Sequence, residues 1–402
     1  MNCSGTTPTS PDKPSPRPPD VAVIAHLANF YTPTSGGLRT AMDALMHEYA
    51  RGGHEVHTIV PGTEAASQTT GTTTIHHLPS RQLPGSGGYR VITSTEQVRG
   101  VLREIQPDCV ELSDRLTLLG AADWARAAGV PSSLIAHERI DGVLQAFMPF
   151  LPRRRLADRM NASAFARVDT IVCTTHFAAE EFDRIGLPTT QVPLGVDLQT
   201  FNPAQRSAAA RGRYAEQVLL VLASRLSREK RPAFAVDVLD ACLRRGMDCR
   251  LLVLGKGPLT ERMVALSKHR PMTVLGHIAS RIEMAQFLAS ADAVLAPGPI
   301  ETFGLAALES LACGTPVLCN EASAIPEVLG PDAGFARPLD PELWANCIET
   351  TINDAADVRA HSRRRAEEFP WSRTATSLLQ VSGITETTTS DAPLGVESLE
   401  VG

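Results

Sequence analysis

Short apolar runs alternate with amphipathic segments along most of the chain. In the first half this pattern predicts a helix at 37–51 and strands at 21–28, 55–60, 72–78, 109–113, 132–138 and 170–175. In the second half it predicts strands at 217–224, 250–255, 272–276, 292–298 and 316–321, and helices at 231–246, 258–269, 280–290, 303–313 and 341–366. Strands that are apolar throughout and separated by helices indicate parallel sheets covered on both faces. The sequence therefore predicts an α/β chain of two doubly wound domains, joined by a linker rich in Pro, Gly, Arg and Ala at 192–213.

Composition and charge narrow the possible classes of function. The chain has 402 residues, a net charge of −6 and no long basic stretch, which argues against a dedicated nucleic-acid binder. Its apolar runs are shorter than the roughly 18 residues that span a bilayer. The Pro-rich start lacks the apolar core of a secretory signal. None of the eight cysteines forms a C-x-x-C pair, so we expect reduced, mostly buried thiols in a cytoplasmic protein.

The strongest chemical signal is the segment PGPIETFGLAALESLACGTPVL, which follows a predicted strand. A helix beginning near Phe303 would place Glu301 just before its first turn and Glu309 about two turns along. The free amides of Phe303, Gly304 and Leu305 would then form an anion site. A bare pair of glutamates is more often a solvated helix face. Here the punctuating glycines and the flanking strands favour a ligand site.

Cationic residues follow the first strand of the second half. The segment ASRLSREKRP places Arg225 and Lys230 at the carboxyl end of that strand, in a chain whose 38 basic residues include only four lysines. A planar Arg and a compact Lys suit a diphosphate, although a solvated basic loop is the alternative for this segment alone. Gly257, in the next strand–helix turn, could approach a ligand or be an ordinary turn glycine. His277 and Ile278 could present backbone groups to a nucleotide base.

The first strand and first helix are joined by the segment FYTPTSGGLRTAM. Gly36 and Gly37 would open the helix in the phosphate-binding position, with Arg39 facing the cleft from the first turn. The segment is not G-x-G-x-x-G, which disfavours a dinucleotide-dependent oxidoreductase.

Polar residues also cluster at the ends of two later strands. The segment ELSDR contributes Asp114 and Arg115, and AHER contributes His137, Glu138 and Arg139. A lone His at a strand end is more often structural, but the clustering favours a role at the rim of a cleft.

A basic segment, FMPFLPRRRLADRM, places apolar residues beside Arg153, Arg154 and Arg155. One interpretation is a loop followed by a solvated helix face. The other is contact with an anionic membrane surface, where each basic residue contributes about 1 kcal/mol.

Together these motifs resemble those of the retaining, GT-B-fold glycosyltransferases of family four. The likeness extends over roughly residues 20–380 and includes the GG pair, R-x4-K, G-x-G-P, E-x7-E, GVDxxxF at 195–201 and FPW at 369–371. More narrowly, NFYTPTSGGLRTAMD, ELSDRLTL, AHERID, VCTTHFAAEEFDRIG and APGPIETFGLAALESLACGTP are similar to segments of actinobacterial mannosyltransferases that act on phosphatidylinositol mannosides. Leu194 departs from the family, which often has Asn there.

The resemblance implies two Rossmann-like domains that face a central cleft, with a C-terminal helix crossing back to the first domain. The implied organisation is a disordered Pro-rich start at 1–19, an acceptor-side domain at 20–195, a donor-nucleotide domain at 196–368, a returning helix at 369–382 and a disordered tail at 383–402.

The resemblance also implies roles for individual residues. Arg225 and Lys230 would stabilise the leaving diphosphate, Glu301 would hold sugar hydroxyls, and His137 would contact the transferred sugar. The implied donor-binding residues are Gly36, Gly37, Gly257, His277, Ile278, Phe303, Gly304, Leu305 and Glu309. The implied acceptor-binding residues are Tyr31, Arg39, Asp114, Arg115, Glu138 and Arg139.

The activity implied by the resemblance is transfer of mannose from GDP-mannose to a phosphatidylinositol mannoside, in α-1,6 linkage, at the inner membrane face. It implies an anionic membrane surface as partner, no nucleic acid and no essential bound metal. Two alternatives stay open. One is a family-four enzyme with another sugar nucleotide or a soluble acceptor, and the other is a non-catalytic sugar-nucleotide-binding protein.

Overall fold

The computed structural model describes residues 21–31, 36–82, 89–147, 152–214 and 216–384, which fold into two α/β domains. The strands are β1 (Val23–Leu27), β2 (Glu55–Gly62), β3 (Ala66–Thr70), β4 (Thr73–Pro79), β5 (Arg81–Gln82), β6 (Arg90–Val91), β7 (Cys109–Leu112), β8 (Ser132–Ala136), β9 (Thr170–Cys173), β10 (Thr190–Gln191), β11 (Val218–Ala223), β12 (Cys249–Leu254), β13 (Met272–Gly276), β14 (Ala293–Ala296), β15 (Val317–Asn320) and β16 (Gly334–Arg337). The helices are α1 (Gly37–Arg51), α2 (Thr95–Ile105), α3 (Leu119–Ala128), α4 (Ile140–Phe147), α5 (Arg153–Phe165), α6 (His176–Asp183), α7 (Ala208–Arg211), α8 (Pro232–Arg244), α9 (Thr260–Ser267), α10 (Arg281–Ser290), α11 (Leu305–Ala312), α12 (Ile325–Leu329), α13 (Pro341–Asn353), α14 (Ala355–Ala366) and α15 (Trp371–Val381).

The first domain is built on a sheet in the order β10-β9-β8-β7-β1-β2-β4-β3. Its described strand pairs are parallel except for the β3–β4 hairpin. Strands β1, β7 and β8 are buried along their whole length, as their continuous apolar sequences predict. The chain order reverses between β1 and β7, so the loops that follow them diverge at a topological switch point, where α/β sheets bind ligands.

The second domain is built on a parallel sheet in the order β13-β12-β11-β14-β15-β16. Its switch point lies between β11 and β14, the two strands that precede the Arg225 and Glu301 segments. The prediction of two doubly wound parallel domains is therefore confirmed.

The chain crosses between the domains twice, at neighbouring positions. Val196 N donates to Phe369 O over 2.8 Å, and α15 then packs against α1 of the first domain. A Cβ on Gly195 would lie 2.5 Å from the backbone of Trp371, so the two crossing segments can approach this closely only with glycine there. The C-terminal helix thus returns to the first domain as the resemblance implies.

Some elements differ from the sequence prediction. The helix predicted at 303–313 begins at Leu305, and the one predicted at 341–366 is broken at Asp354 into α13 and α14. Strand β3 was not predicted, because all of its residues are exposed and it has no apolar alternation. Most of the apolar part of the 147–160 segment lies outside the described residues. The seven described cysteines are buried and free.

No helix in the described part of the chain is both long and apolar enough to cross a membrane.

Candidate active site

Two loops of the second domain meet because the strands before them are neighbours in the sheet. Arg225 and Lys230 follow β11, Glu301 follows β14, and Leu220 of β11 pairs with Ala293 of β14. Lys230 Nζ donates to Glu301 Oε1, and both side chains are about one quarter exposed. The structure therefore brings together two of the predicted catalytic residues at the switch point of the donor domain.

Two helices present uncapped N-termini to the space between the domains. Gly36 precedes α1 and Gly304 precedes α11, and neither helix has a side-chain cap or an acidic residue in its first turn. Gly304 has φ +89°, a conformation that favours glycine. A Cβ on Gly37 would lie 3.5 Å from Leu305 Cδ1, so the two helix starts face each other. Because α11 starts after Phe303, whose side chain is buried, its free first-turn amides begin at Leu305.

Side-chain caps occur at some of the described helices and are absent at others, among them α3, α5, α8 and α9. Ser94, Thr175, Ser280 and Asp340 cap α2, α6, α10 and α13 through side-chain oxygens. A capping oxygen would compete with a bound anion for the same amides. The uncapped ends of α1 and α11 are therefore available to an anionic ligand.

Arg225 is exposed and is held by the other domain. Its guanidinium lies 5.6 Å from the centre of the Tyr89 ring, and Tyr89 packs edge-to-face against Phe30 at 5.7 Å. Among the described residues, no carboxylate forms an ion pair with Arg225. The guanidinium is therefore oriented by a ring contact and remains available to an anion. Tyr89 was missed from the sequence because it belongs to no motif.

The second motif glutamate lies beside a cation. Glu309 is partly buried on α11, with its Oε1 3.9 Å from Arg281 Nη1. Burial raises the pKa of Glu309 to about 7. His277 is exposed after β13, while the Ile278 side chain packs on the core. Arg281 was not predicted, because a single Arg at the start of a helix carries no distinctive signal.

His137 lies at the end of β8 and is fixed at both its ring and its backbone. Its Nε2 lies 3.0 Å from Ser113 Oγ, and its carbonyl accepts a hydrogen bond from Thr302 Oγ1 of the second domain. Burial lowers the pKa of His137 to about 4, so the ring is neutral near pH 7. Thr302 O in turn accepts from the hydroxyls of Thr174 at 3.1 Å and Thr175 at 2.8 Å. Thr302, which sequence reasoning missed, thus anchors the loop that carries Glu301 to the first domain.

Asp114, which was predicted to bind acceptor, has its carboxylate turned into the first domain. The residue is buried, and Oδ2 accepts hydrogen bonds from Asn29 Nδ2 at 3.0 Å and from the amides of Thr117 and Leu118 at 2.9 and 3.2 Å. The carboxylate therefore holds the loop after β7 and is not presented to a ligand.

Arg115, also predicted to bind acceptor, makes its contacts within the first domain. It is buried, with Nη1 2.7 Å from Glu181 Oε1 and 2.6 Å from Asn161 Oδ1, and Nη2 donates to Glu138 O. An ion pair this buried fixes the surrounding loops and engages three of the five N–H donors of the guanidinium within the first domain. Glu138 itself has an exposed side chain and stays a candidate.

Arg139 is likewise occupied by its own domain. It bonds to Asp141 at 3.2 Å, to Glu180 at 2.6 Å and to Phe177 O at 3.0 Å. The predicted acceptor contact through this guanidinium is therefore not supported by its geometry.

At the start of α1, Tyr31 and Arg39 share one partner. Tyr31 Oη donates to Asp43 Oδ1 over 2.6 Å, and Arg39 Nε lies 3.3 Å from Asp43 Oδ2. The Arg39 side chain is 37% exposed, so it keeps donors available to a ligand.

Gly257, predicted to contact the donor, has a structural role in its turn. Its amide donates to Thr260 Oγ1 over 3.0 Å, and a Cβ there would lie 2.4 Å from Leu226 O. The glycine therefore allows its turn to pack against the backbone that carries Arg225.

The three consecutive arginines of the basic segment begin helix α5. Arg154 and Arg155 are exposed and Arg153 is partly exposed. Positive charges at a helix N-terminus are unfavourable for the helix itself, so helix stability does not explain their position.

The described residues contain no group of three or more His, Cys, Asp or Glu side chains that could hold a metal ion.

Comparison with known proteins follows the same two-domain division. Residues 36–195 match the family model described as glycosyl transferase 4-like domain, and residues 217–354 match glycosyl transferases group 1. The chain is 46% identical over 366 residues to a GDP-mannose-dependent alpha-(1-6)-phosphatidylinositol dimannoside mannosyltransferase of Mycobacterium tuberculosis (strain ATCC 25177 / H37Ra), covering 90% of this chain and 96% of the relative. A GDP-mannose-dependent alpha-mannosyltransferase of M. tuberculosis (strain CDC 1551 / Oshkosh) is 26% identical, over 85% of this chain and 89% of the relative.

Solved structures share the fold. A sucrose-phosphate synthase from Thermosynechococcus elongatus superposes with a TM-score of 0.73 at 18% identity, over 90% of this chain and 98% of that one. Anabaena HepE in complex with UDP and glucose gives a TM-score of 0.68 at 17% identity, over 89% and 98%. These neighbours establish the GT-B arrangement of the two domains.

Proposed function

The chain belongs to the group 1 glycosyltransferases with a GT4-like first domain, and we propose that it transfers mannose from GDP-mannose to a phosphatidylinositol mannoside. The proposed linkage is α-1,6, with retention of the anomeric configuration. The observation that carries the proposal is 46% identity to a mannosyltransferase of that specificity across 90% of this chain and 96% of the relative. Identity of this extent includes both domains, and therefore both walls of the cleft.

The diphosphate of the donor fits the positive groups at the donor-domain switch point. Arg225 offers a planar pair of donors, and Lys230 can share its three N–H donors between Glu301 and a phosphate oxygen. The uncapped starts of α1 and α11 add free amides and the positive ends of two helix dipoles. Removing one such preorganised donor typically costs about 2.7–4 kcal/mol of transition-state stabilisation.

The transfer itself occurs on one face of the sugar. The C1–O bond to the diphosphate breaks as the acceptor hydroxyl forms a C1–O bond on the same face, and the hydroxyl proton passes to a phosphate oxygen of the leaving group. Glu301 is engaged by Lys230 and so is not a free nucleophile. We assign it to the sugar hydroxyls. Glu309 binds the ribose, and His137 contacts the sugar.

We place the acceptor side in the first domain, near Arg39 and Glu138. Arg153, Arg154 and Arg155 would approach the anionic lipid surface, which supplies the negative charge that the start of α5 lacks. The enzyme would then act at the inner membrane face. Binding to vesicles that contain an anionic phospholipid, but not to vesicles of neutral phosphatidylcholine alone, tests this placement, and replacing the three arginines with serine should abolish the difference.

No metal enters this mechanism, because the positive charge comes from side chains and helix ends. We expect the activity to persist in excess EDTA.

The decisive experiment supplies purified protein with labelled GDP-mannose, UDP-glucose or UDP-N-acetylglucosamine. Each donor is tested with phosphatidylinositol dimannoside in vesicles and with the soluble D-inositol 3-phosphate. We expect label to enter lipid only from GDP-mannose, with an α-1,6 linkage in the product. Transfer from a UDP-sugar, or to the soluble acceptor, would replace this proposal with another family activity, and absence of transfer with intact nucleotide binding would indicate a non-catalytic protein.

A matched pair of lysine variants tests the site. Lys230→Met should lower kcat/KM by roughly 100- to 1,000-fold, as expected for loss of a preorganised donor to the leaving group. Lys268→Met removes an exposed lysine of the same domain and should leave the rate within a factor of two or so. Equal effects of the two changes would contradict the assignment.

A further inference from the structure

A line of polar side chains runs from α1 through the first sheet to His137. Tyr49 Oη donates to Glu111 Oε1 over 2.7 Å, and Glu111 Oε2 lies 3.2 Å from His26 Nδ1. Ser113 Oγ lies 2.8 Å from His26 Nε2 and 3.0 Å from His137 Nε2. An unbroken series of contacts therefore connects the core of the domain to the ring that faces the transferred sugar.

The inner part of this line is fully enclosed. Tyr49, Glu111 and His26 are 1%, 0% and 2% exposed. His26 and Glu111 are register partners across β1 and β7, the strands that flank the switch point. Buried ionisable groups are costly compared with apolar residues of similar size, so their presence here is not explained by stability alone.

The hydrogen-bonding capacity of each group fixes the direction of the whole line. Glu111 Oε2 makes no aligned hydrogen bond with a described residue, but the ionised carboxylate lies 3.2 Å from His26 Nδ1 and so favours the His26 tautomer that carries its proton on Nδ1 and accepts at Nε2. Ser113 then donates to His26 and accepts from His137 Nε2–H. The remaining nitrogen of His137, Nδ1, carries a lone pair, and no bond to it is found among the described residues.

Protonation of Glu111 reverses the hydrogen bonds between His26 and His137, whereas Tyr49 still donates to Glu111. The carboxylic acid donates to His26 Nδ1, His26 donates from Nε2 to Ser113, and Ser113 donates to His137 Nε2. His137 then carries its proton on Nδ1. The same contacts thus support two states that differ in what His137 offers to a ligand.

We propose that Glu111, acting through His26 and Ser113, is a positioning residue that sets which ring nitrogen of His137 carries the proton. It thereby decides whether His137 accepts or donates a hydrogen bond to the transferred sugar. The inference rests on the proposed function for the identity of the sugar ligand. The proton arrangement itself is a property of the protein alone.

The line can change state near neutral pH. Burial raises the pKa of Glu111 to about 7, and the Tyr49 hydrogen bond opposes this shift. Burial lowers the pKa of His26 to about 3, so both imidazoles are neutral in this range. The other titratable or charged groups that act on the line are Cys109, beside Tyr49 and Glu111, and Arg115, beside His137. Burial raises the pKa of Cys109, so this residue stays a neutral thiol and Glu111 is the group that titrates.

The direct test is the tautomer of His137, measured by 15N NMR of protein labelled at histidine and assigned by the signal lost in His137→Gln. We expect Nδ1 to be unprotonated at pH 8.5 and protonated at pH 5.5. Glu111→Gln should hold Nδ1 protonated at both pH values, because its amide oxygen accepts from Tyr49 and its NH2 donates to His26. A His137 tautomer that is the same at both pH values and in Glu111→Gln would overturn the proposal.

Kinetics provide the second readout. A sugar that gains positive charge in the transition state has more acidic hydroxyls, so an accepting Nδ1 should be the more active form. We expect kcat/KM for GDP-mannose to rise about tenfold between pH 5.5 and 8.5, the effect of one improved hydrogen bond. Glu111→Gln should be flat at the low value, and Tyr49→Phe should move the midpoint to higher pH.

Two further variants separate this role from a merely structural one. Ser113→Ala should make kcat/KM insensitive to Glu111→Gln, whereas Ser113→Thr, which keeps the hydroxyl, should restore the pH profile. Ser133→Ala removes a buried hydroxyl from the neighbouring strand, opposite Glu111, and should leave the profile unchanged. Equal pH profiles in Ser113→Ala and wild type would overturn the proposal. If GDP-mannose is not turned over, the proposed function fails while the NMR result still decides the proton arrangement.

Discussion

At the scale of single residues, the environment of a side chain decides its role more than its type does. Arg115 and Arg225 both follow the end of a buried strand. Glu181, 66 residues further along the chain, neutralises Arg115, whereas Arg225 has only the ring of Tyr89 as its described partner. The first guanidinium therefore stabilises the domain, and the second is left for an anionic ligand. No local sequence pattern distinguishes the two arginines, because the carboxylate that occupies Arg115 is distant from it in the sequence.

We predict that Glu309 makes the affinity for nucleotide depend on pH. Its pKa is raised to about 7 by burial, so the carboxylate that we propose as the acceptor for ribose hydroxyls is lost as the pH falls below 7. We expect the affinity for GDP, relative to that of Glu309→Gln, to rise about tenfold from pH 5.5 to 8.5. Taking the ratio cancels the ionisation of GDP itself, and calorimetric titration measures it. Glu111→Gln should keep this pH dependence, because the contacts from Glu111 lead to His137, which we assign to the sugar and not to the nucleotide. A ratio that is constant with pH would contradict the role of Glu309.

At the scale of elements, we predict that a side-chain cap at the start of α1 would stabilise the helix and weaken the binding of the donor. A Cβ at Gly36 meets no atom within 4 Å, so a side chain fits there. Gly36→Asp should cap the helix and raise its stability by a few tenths of a kcal/mol. The same carboxylate should weaken donor binding about tenfold, because it competes with the diphosphate for the helix end. Thermal melts and GDP-mannose titrations measure the two effects.

The matched control is Gly36→Asn, which caps the helix without adding charge and should weaken donor binding less than Gly36→Asp does. Equal losses of affinity in the two variants would argue against an anion at the start of α1.

Helix α14 explains part of the abundance of arginine in this chain. Arg359 donates to Ala289 O and Ala291 O, Arg363 to Ala312 O, and Arg365 to Glu327 O and Val328 O. These carbonyls lie at the ends of α10, α11 and α12, which have no following turn to satisfy them. One helix thus caps three others, including the helix that carries Glu309.

Arg363 provides the test of this capping. Its Nη1 lies 2.8 Å from Ala312 O and 3.1 Å from Phe201 O. Arg363→Ala should lower the free energy of unfolding by roughly 1–3 kcal/mol, because it leaves buried carbonyls without a donor. Arg364→Ala, at an exposed position of the same helix, should change it by less than about 0.5 kcal/mol. Urea unfolding distinguishes them, and equal midpoints would contradict the capping role.

At the scale of the whole molecule, the sequence predicted the two parallel sheets, because their strands are continuous apolar runs. It also predicted which loops meet at the carboxyl ends of those strands. It placed Lys230 and Glu301 at one site, because strands β11 and β14 are parallel neighbours. It did not predict β3, whose residues are all exposed, or the contacts of Thr302 with the first domain. Such contacts depend on how two domains meet, and neither domain's periodicity encodes that.

The contacts of Thr302 and Glu327 across the cleft lead us to predict that they favour closure of the two domains. Glu327 of α12 accepts from the amides of His176 at 2.8 Å and Phe177 at 2.7 Å, and so caps α6 of the opposite domain with a charge. Together with Thr302 it holds the Glu301 loop against the first domain.

Glu327→Ala should therefore favour an open arrangement and raise the KM for donor about five- to tenfold, the effect of losing one charged hydrogen-bonding group. Small-angle scattering should show a larger radius of gyration in the variant, and saturating GDP-mannose should reduce the difference because the donor bridges both domains. Glu321→Ala removes an exposed carboxylate of the same domain and should change neither quantity. An unchanged radius together with a raised KM would locate the defect in the donor site itself, and would mean that the cap on α6 does not control closure.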